Sequence, residues 1–337
     1  MMTIEEIEAA CEPSQMLNFP RHEIEAPELT LKRVFYPLGF PTEVWSNSEE
    51  ILTLCEERWG AFEKRFDTKT ISVDVHVVES DSTECPPMPV YRMMRPMVVS
   101  VADMNNYIVY DLTQSRTHIS ISRAAERNKL YLQYFFLDGM ATFQIGARYT
   151  KGIHAACVAL DGRGVLLCGD SGAGKSTLSY ACARAGWTYV TDDLSHVVNG
   201  GRPRMVVGNC FQVRFRPTAV KLFAELEGLG LTPRAAGQPS IEIPTASMPR
   251  LICSQEVRVD FMVFLNRRGG GPSELVPYRR DVARNFIRQG ELYLSEESLA
   301  MHNSAIEELL TVKVMELRYT DLNWAVERLR TLVQEGR

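Results

Sequence analysis

The sequence has no uninterrupted apolar stretch that reaches the length of about 20 residues needed to cross a bilayer. Residues 1–18 are acidic and have no apolar centre, unlike a secretory signal, which pairs a basic start with an apolar run. These two absences predict a cytoplasmic protein with no membrane partner.

An excess of basic residues is also missing. The sequence has 37 Lys and Arg residues against 42 Asp and Glu residues, which gives a formal net charge of -5. A broad nucleic-acid-binding surface requires clustered positive charge, so this composition predicts no nucleic-acid partner.

Cysteine pairs at the two-residue spacing of a zinc knuckle or a redox motif are absent. The 8 cysteines are scattered, and several stand inside apolar runs, where a free cysteine behaves as a small hydrophobic residue. The sequence therefore predicts reduced thiols and no metal site built from cysteine.

What the sequence does contain is enough apolar material for a core. Of its 337 residues 45% are apolar and 23% are charged, which is ordinary for a globular protein of one large or two medium domains. No internal repeat or low-complexity segment divides it further.

The first part of the chain, residues 1–130, is predicted to be a smaller β-rich α+β domain that is a candidate for recognising a substrate or partner. A helix is expected within Asn47–Phe66. Short runs rich in β-branched and aromatic residues predict the strands Ile71–Glu79, Met97–Val101, Tyr107–Leu112, His118–Ser122 and Lys129–Gln133.

Residues 131–337 are predicted to form an α/β domain with a mixed sheet and flanking helices. A helix over Leu132–Tyr149 is followed by a hairpin, and the second strand of that hairpin runs into a glycine-rich loop and a helix. The Gly- and Pro-rich segment Glu225–Pro249 is predicted to be a mobile loop.

The glycine-rich loop carries the strongest motif in the sequence. It fits the pattern G-x-x-x-x-G-K-[ST] at every defined position. Glycines let successive main-chain N–H groups point at phosphate oxygens, and the following helix adds its positive N-terminal end. The motif thus predicts that ATP is bound by Gly169, Asp170, Ser171, Gly172, Ala173, Gly174, Lys175, Ser176 and Thr177. Within that set, Lys175 would reach the β and γ phosphates and the Ser176 hydroxyl would ligate Mg²⁺.

Two adjacent carboxylates, Asp192 and Asp193, follow the next predicted strand. Ligands of open α/β sheets bind at the carboxyl ends of strands, so both would project toward the phosphate loop. Adjacent residues on an extended strand point to opposite faces, so both serve one site only if the strand ends there. One carboxylate is predicted to hold the metal and the other to accept a proton from a hydroxyl substrate. A solvated turn is the alternative.

Two arginines further along the chain, Arg214 and Arg216, alternate on a predicted strand. Arginine suits the charge of a transferring phosphoryl group or an anionic substrate. The alternative is a solvated strand face. His154 would not be selected as functional from its residue type and position alone.

The segment from Gly152 to Val197 resembles the catalytic domain of HPr kinase/phosphorylase, which phosphorylates a serine of a phosphocarrier protein. The resemblance rests on the stretches GIHAACVAL, DGRGVLLCGDSGAGKS, ARAGWTYV and TDDLSHV, in that order. It implies that Asp192 is the catalytic base, that Asp193 and Ser176 serve the metal, and that His154 lies at the edge of the site. It also favours a homo-oligomer.

Departures from the family pattern point to a divergent member. Thr177 stands where the family usually has an acidic residue, no glycine-rich signature segment is evident near Arg204–Pro217, and residues 1–130 show no resemblance to the usual N-terminal domain. The predicted function is an ATP- and Mg²⁺-dependent kinase that phosphorylates a hydroxyl, with serine favoured, on a protein, peptide or small molecule. The alternatives are a nucleotide-gated binding module, simple ATP hydrolysis, and a phosphocarrier kinase/phosphorylase.

Overall fold

The computed structural model describes residues 28–94, 96–234, 237–248, 251–267, 271–289 and 295–336. Over these residues the protein is a mixed α/β structure with three sheets and several helices, as the sequence predicts in outline. Among the described helices, none is both long enough and apolar enough to cross a membrane.

The first sheet is built from the N-terminal part of the chain and has the order β1-β2-β3-β7-β6-β5-β4. Its strands are β1 Leu31–Phe35, β2 Thr42–Ser46, β3 Ile71–Val78, β4 Val90–Met94, β5 Met97–Val101, β6 Tyr107–Asp111 and β7 Arg116–Ser122. Strand β3 pairs in parallel with β2 and β7, and the other pairs are antiparallel. Alternate residues of β3 face the core, which is why Ile71, Val73, Val75 and Val77 are all buried.

Helices cover the core face of this sheet. They are α1 Glu49–Trp59, α2 Arg123–Arg127, α3 Lys129–Leu132, a π-helical turn Gln133–Leu137, and α4 Asp138–Arg148. The strand predicted over Lys129–Gln133 is therefore wrong. The side chain of Asn128 accepts a hydrogen bond from the main-chain N–H of Tyr131, which starts a helix there. Leu132, Phe136 and Met140 then follow at helical spacing and are buried.

The strands of the rest of the chain form a second sheet and a small third one. They are β8 Thr150–Ile153, β9 Ala155–Leu160, β10 Arg163–Cys168, β11 Thr188–Thr191, β12 Ser195–Val198, β13 Met205–Val207, β14 Gln212–Phe215, β15 Ile241–Pro244, β16 Ile252–Cys253, β17 Glu256–Asn266, β18 Glu274–Pro277 and β19 Lys313–Arg318. The second sheet runs β16-β11-β9-β10-β17-β13-β12-β8, and β19 pairs with both β17 and β18. Strand β17 is parallel to β10 and to β19, so the carboxyl ends of these three strands lie at one edge.

Both faces of the second sheet are buried. On one face pack α5 Lys175–Arg184 and α8 Leu322–Glu335, and on the other pack α6 Arg280–Ile287 and α7 Glu296–Leu309. Strands covered on both faces have continuous apolar runs, which explains the apolar sequences 155–160 of β9 and 165–168 of β10.

The third sheet pairs β14 with β15 and lies over α5. Strand β15 and a 3₁₀ turn at Thr245–Ser247 fall inside Glu225–Pro249, so the prediction of a mobile loop over that whole segment is wrong. Ile241 packs with Val213, Phe215 and Tyr180 in a separate hydrophobic cluster that holds the segment in place. Residues 235, 236 and 249 of that predicted loop lie outside the described residues.

The two large sheets contribute residues to one hydrophobic cluster. Val198 of β12 and Val207 of β13 belong to the same buried cluster as the helices of the first sheet. The Phe62 ring also meets the Phe211 ring edge-on, with centroids 4.9 Å apart. Helix α4, which lies after residue 130, packs on the first sheet. The domain boundary between residues 130 and 131 stays a prediction.

Candidate phosphate-binding and acid–base site

The glycine-rich loop is positioned by a tight hairpin. Strands β9 and β10 are joined by Asp161 and Gly162, whose φ angles of 53° and 74° are those of a two-residue type I′ turn. Strand β10 then delivers Gly169 at the edge where β17 and β19 also end. Gly169, Gly172 and Gly174 have φ angles of 147°, 89° and 100°, which side-chain-bearing residues rarely adopt.

Close packing adds a second reason for glycine at position 174. A Cβ atom there would lie 2.9 Å from Cδ of Arg267 and 3.2 Å from the hydroxyl of Tyr319. The Arg267 guanidinium lies 6.0 Å from the centre of the Tyr319 ring. Both residues directly follow a strand, β17 and β19 respectively, and they form one wall of the loop. The sequence motif identifies neither residue, because only the pairing of distant strands brings them here.

Lys175 lies inside the loop. It is buried, and its Nζ donates hydrogen bonds to the carbonyl oxygens of Gly169, at 2.8 Å, and Asp170, at 3.2 Å. Burial lowers the pKa of Lys175, whereas the nearby carboxylate of Asp193 opposes that shift. The tip of the loop, by contrast, is exposed to solvent at Asp170, Ser171 and Gly172. The ammonium group of Lys175 is therefore buried beneath an accessible loop.

The other residues of the glycine-rich loop complete its backbone turn and begin the helix that follows. The main-chain N–H of Ala173 donates to the carbonyl oxygen of Asp170 at 3.1 Å. Ser176 and Thr177 are half-buried in the first turn of α5. Cys168, the residue before the loop, is fully buried.

The two arginines singled out from the sequence contact different groups. Arg216 follows β14, and its Nη2 donates to the Ser171 hydroxyl at 3.0 Å, so it lies against the tip of the loop. Arg214 lies within β14, and its Nε is 2.9 Å from Oε1 of Glu242 on β15.

Asp192 is the buried member of the acidic pair, and β11 ends just before it. Its Oδ2 accepts a hydrogen bond from the main-chain N–H of Arg214 at 3.0 Å, and its carbonyl oxygen accepts one from the Ser176 hydroxyl at 3.4 Å. Burial raises the pKa of Asp192 to about 6, and the hydrogen bond from Arg214 counteracts part of that rise. The carboxyl group therefore titrates near pH 6.

Tyr189, on the strand that precedes Asp192, influences the pKa of that carboxyl group. It is fully buried on β11, and its hydroxyl donates to the carbonyl oxygen of Gln212 at 3.0 Å. The Tyr189 hydroxyl also lowers the pKa of the Asp192 carboxyl group. Sequence reasoning missed this residue, because a tyrosine in an apolar strand is indistinguishable from an ordinary core aromatic.

Asp193 is the exposed member, with 56% of its side chain accessible. Its Oδ1 lies 3.3 Å from Nδ1 of His154, whose side chain is half-exposed between β8 and β9. Burial, and then the charge of Lys175, lower the pKa of His154, while Asp193 raises it. Strand β11 ends at Thr191, directly before the acidic pair.

A cavity of about 250 Å³ opens beside both carboxylates. Its walls come from the turn after β1, from α1 and the residues that follow it, and from α4, as well as from the second and third sheets. The lining residues are Pro37, Leu38, Arg58, Trp59, Phe62, Asp138, Thr142, Thr191, Asp192, Asp193, Leu194, His196, Asn209, Gln212 and Arg214.

Comparisons with known proteins add little to this geometry. No protein-family model and no curated protein matches the sequence. Among solved structures, the HPr(Ser) kinase/phosphatase from Coxiella burnetii matches with 16% identity over 55% of this chain and 95% of that chain, at a TM-score of 0.29. A TM-score this low supports no inference about activity.

Proposed function

We propose that the protein is an ATP- and Mg²⁺-dependent kinase that transfers the γ-phosphoryl group to a hydroxyl, with serine favoured. One observation carries the proposal. The Ser176 hydroxyl at the start of α5 lies 3.4 Å from the main chain of the buried Asp192, so the phosphate-loop motif and a carboxyl group of raised pKa share one site.

The loop is suited to a polyphosphate. Its positive-φ glycines keep Cβ atoms out of the space that phosphate oxygens would occupy, and the N-terminus of α5 faces the same space. Lys175 holds its ammonium group on the carbonyls of Gly169 and Asp170, and phosphate oxygens would be stronger acceptors for it.

The donor set near the loop also fits Mg²⁺. Among the described residues there is no cluster of three or more His, Cys, Asp or Glu side chains suited to a metal. Mg²⁺ in kinase sites is typically held by one or two carboxylates and the substrate phosphates, and Ser176 and Asp193 would supply the protein oxygens here. When bound, Mg²⁺ would neutralise charge on the β and γ phosphates. His154, in contact with Asp193, would keep that carboxylate oriented.

Asp192 is the proposed general base. It has 6% of its surface exposed, accepts a hydrogen bond from the main-chain N–H of Arg214, and lines the cavity where an acceptor would bind. A base that titrates near pH 6 is ionised at neutral pH and still able to take up a proton from a hydroxyl in the transition state.

Two measurements test the proposal. Calorimetric titration with ATP and Mg²⁺ is expected to give saturable binding, and incubation of a cell extract with the protein and γ-labelled ATP is expected to label an acceptor. Absence of nucleotide binding, or nucleotide binding with no labelled acceptor, contradicts the kinase.

A nucleotide-gated binding module is the second candidate, and the bond between Arg216 and Ser171 favours it specifically. Phosphate groups bound in the loop would compete with the Ser171 hydroxyl for the Arg216 guanidinium. Nucleotide binding would thereby change the position of Arg216 and of the segment that follows it. Binding of nucleotide without label transfer would favour this module. Simple ATP hydrolysis, pyrophosphate-dependent phosphorolysis, the cytoplasmic location and a homo-oligomeric state remain predictions.

A further inference from the structure

The cavity beside Asp192 is built by two distant parts of the chain. Arg58, Trp59 and Phe62 reach it from the region of α1, and Asp138 reaches it from the start of α4. The acidic pair and Arg214, from the later part of the chain, also line it. A ligand in this cavity would touch both parts at once.

Two guanidinium groups line this cavity, and each is fixed by one carboxylate. Nη2 of Arg58 lies 2.6 Å from Oδ1 of Asp138, and Nε of Arg214 lies 2.9 Å from Oε1 of Glu242. The positive charges of both arginines act on Asp138, so both guanidinium groups lie near that carboxyl group.

The described ion pairs engage only part of each arginine. A guanidinium carries five N–H donors in a planar fork, and that fork matches the geometry of a carboxylate. Because ion pairing with Asp138 and Glu242 restricts the two arginine side chains, less conformational entropy would be lost when a ligand binds to them.

Aromatic residues limit the size of the ligand. Trp59 and Phe62 are 5% and 8% exposed, and they are backed edge-on by Phe35 and Phe211 with ring centroids 5.9 Å and 4.9 Å apart. These packed rings make a rigid wall. A volume of about 250 Å³ is below the range of roughly 300–1,000 Å³ that is usual for drug-sized ligands. The cavity thus fits a small molecule of the size of an amino acid.

We propose that this cavity binds the phosphoryl acceptor, and that the acceptor is a small hydroxy acid or hydroxyl-bearing amino acid. Its hydroxyl lies at Asp192 and its carboxylate is bound by Arg58 and Arg214. The inference rests on the proposed kinase function and gives the substrate class.

The reaction balances with groups already named. The acceptor oxygen forms a bond to the γ-phosphorus of ATP while the bond from that phosphorus to the bridging oxygen breaks. ADP leaves with the electron pair of that bond, and the hydroxyl proton passes to Asp192.

Three probes distinguish the parts of this proposal. N-acetyl-L-serine and L-serine carry both the hydroxyl and a free carboxylate, and N-acetyl-L-serinamide carries the same hydroxyl without the carboxylate. Label transfer from ATP to the two acids is expected, with the amide at least about 10-fold poorer in kcat/KM, since the charge-assisted contacts of the carboxylate with Arg58 and Arg214 are lost.

The matched variants are Arg58→Gln/Asp138→Asn and Arg33→Gln. The double variant removes both charges of the cavity pair and so avoids leaving Asp138 alone in the interior. Arg33 forms an ion pair with Glu49 on the same part of the chain but does not line the cavity. In the double variant the KM for N-acetyl-L-serine is expected to rise about 10-fold or more, with calorimetric binding of Mg-ATP unchanged. Direct calorimetric titration of N-acetyl-L-serine should show the same weakening, and Arg33→Gln should behave as wild type.

Normal Mg-ATP binding with no transfer to either acid would overturn this acceptor class, as would equal use of the amide. Labelling of some other acceptor in a cell extract would then leave the kinase function standing. Loss of Mg-ATP binding by the wild-type protein would instead remove the kinase function itself, and the acceptor proposal with it.

Discussion

The main-chain N–H of Arg214 donates a hydrogen bond to Oδ2 of Asp192, with the two atoms 3.0 Å apart. The donor belongs to β14 of the small third sheet, and the acceptor follows β11 of the second sheet. A main-chain donor keeps its position when the arginine side chain is replaced. The carboxyl group is therefore oriented by the fold, and the Arg214 side chain remains available for a ligand.

Asp192→Asn should abolish phosphoryl transfer and leave nucleotide binding intact. The amide cannot accept the hydroxyl proton, and loss of a general base typically costs about 10²–10⁴-fold in rate. Transfer of label measures the rate, and calorimetric titration with Mg-ATP provides the control. Turnover within a few-fold of wild type would show that Asp192 is not the base.

The same substitution should stabilise the folded protein at pH 8. Burial raises the pKa of Asp192 from 3.8 to about 6, so folding favours its protonated form and the ionised form destabilises the native state. That cost is fully present above pH 6 and disappears as the pH falls below 4. We expect a gain on the order of 1–3 kcal/mol at pH 8 that vanishes at pH 4. Denaturant unfolding at both pH values checks this, and a pH-independent difference would contradict it.

Activity should rise with pH through about 6 and then level off. The reaction needs ionised Asp192, so the rate one pH unit below that pKa should be about one tenth of its maximum. Tyr189→Phe removes the hydroxyl that lowers the pKa of Asp192, so the acid limb should move to higher pH. Tyr180→Phe is the matched control, because that hydroxyl donates to Glu225 instead, at 2.9 Å. An unmoved limb in Tyr189→Phe would count against this arrangement.

Asp193→Asn should raise the Mg²⁺ concentration needed for half-maximal activity by about 10-fold or more. The residue is the exposed carboxylate beside the loop, and an amide is a weaker ligand for a divalent cation. Activity against Mg²⁺ concentration at saturating ATP measures the effect. Asp161→Asn, in the turn before β10, is a control that changes charge by the same amount, and identical curves for both variants would exclude Asp193 as a ligand.

Gly174→Ala should abolish nucleotide binding, whereas Gly162→Ala should not. Both glycines have positive φ, so both variants carry backbone strain of about 1 kcal/mol or more. Only at position 174 would the new Cβ meet neighbours, Arg267 and Tyr319, because nothing lies within 4 Å of a Cβ at position 162. Mg-ATP titration and thermal unfolding of both variants separate strain from contact. Equal loss of nucleotide binding in the two would contradict the packing explanation.

The loop and its acidic pair could be predicted from the sequence because their signals are local. The Asp161–Gly162 turn, the apolar run of β10, and the Gly-Lys-Ser end of the motif lie within a few residues of one another. The burial of Asp192 was not predictable, since β14, which covers it, lies about 20 residues further along and is held by β15.

The cavity could not be predicted for the same reason. Trp59 and Phe62 lie more than 100 residues before the acidic pair, and in the sequence they are ordinary apolar positions of a helix and its end. At Lys129–Gln133 the sequence predicts a strand, whereas the structure has a helix. The apolar alternation there is compatible with a strand, and the Asn128 cap together with packing of the following turns decides for a helix.

The sharing of Val198 and Val207 with the first hydrophobic cluster has a consequence for how the protein melts. Strands β12 and β13, which bear these valines, also pair with β8 and β17 of the second sheet. Unfolding of the first sheet would expose apolar residues of the second sheet, and the reverse also holds. Both sheets should therefore unfold in one cooperative thermal transition. If the first sheet and the second sheet were expressed separately, each would expose a hydrophobic surface and would be prone to aggregate.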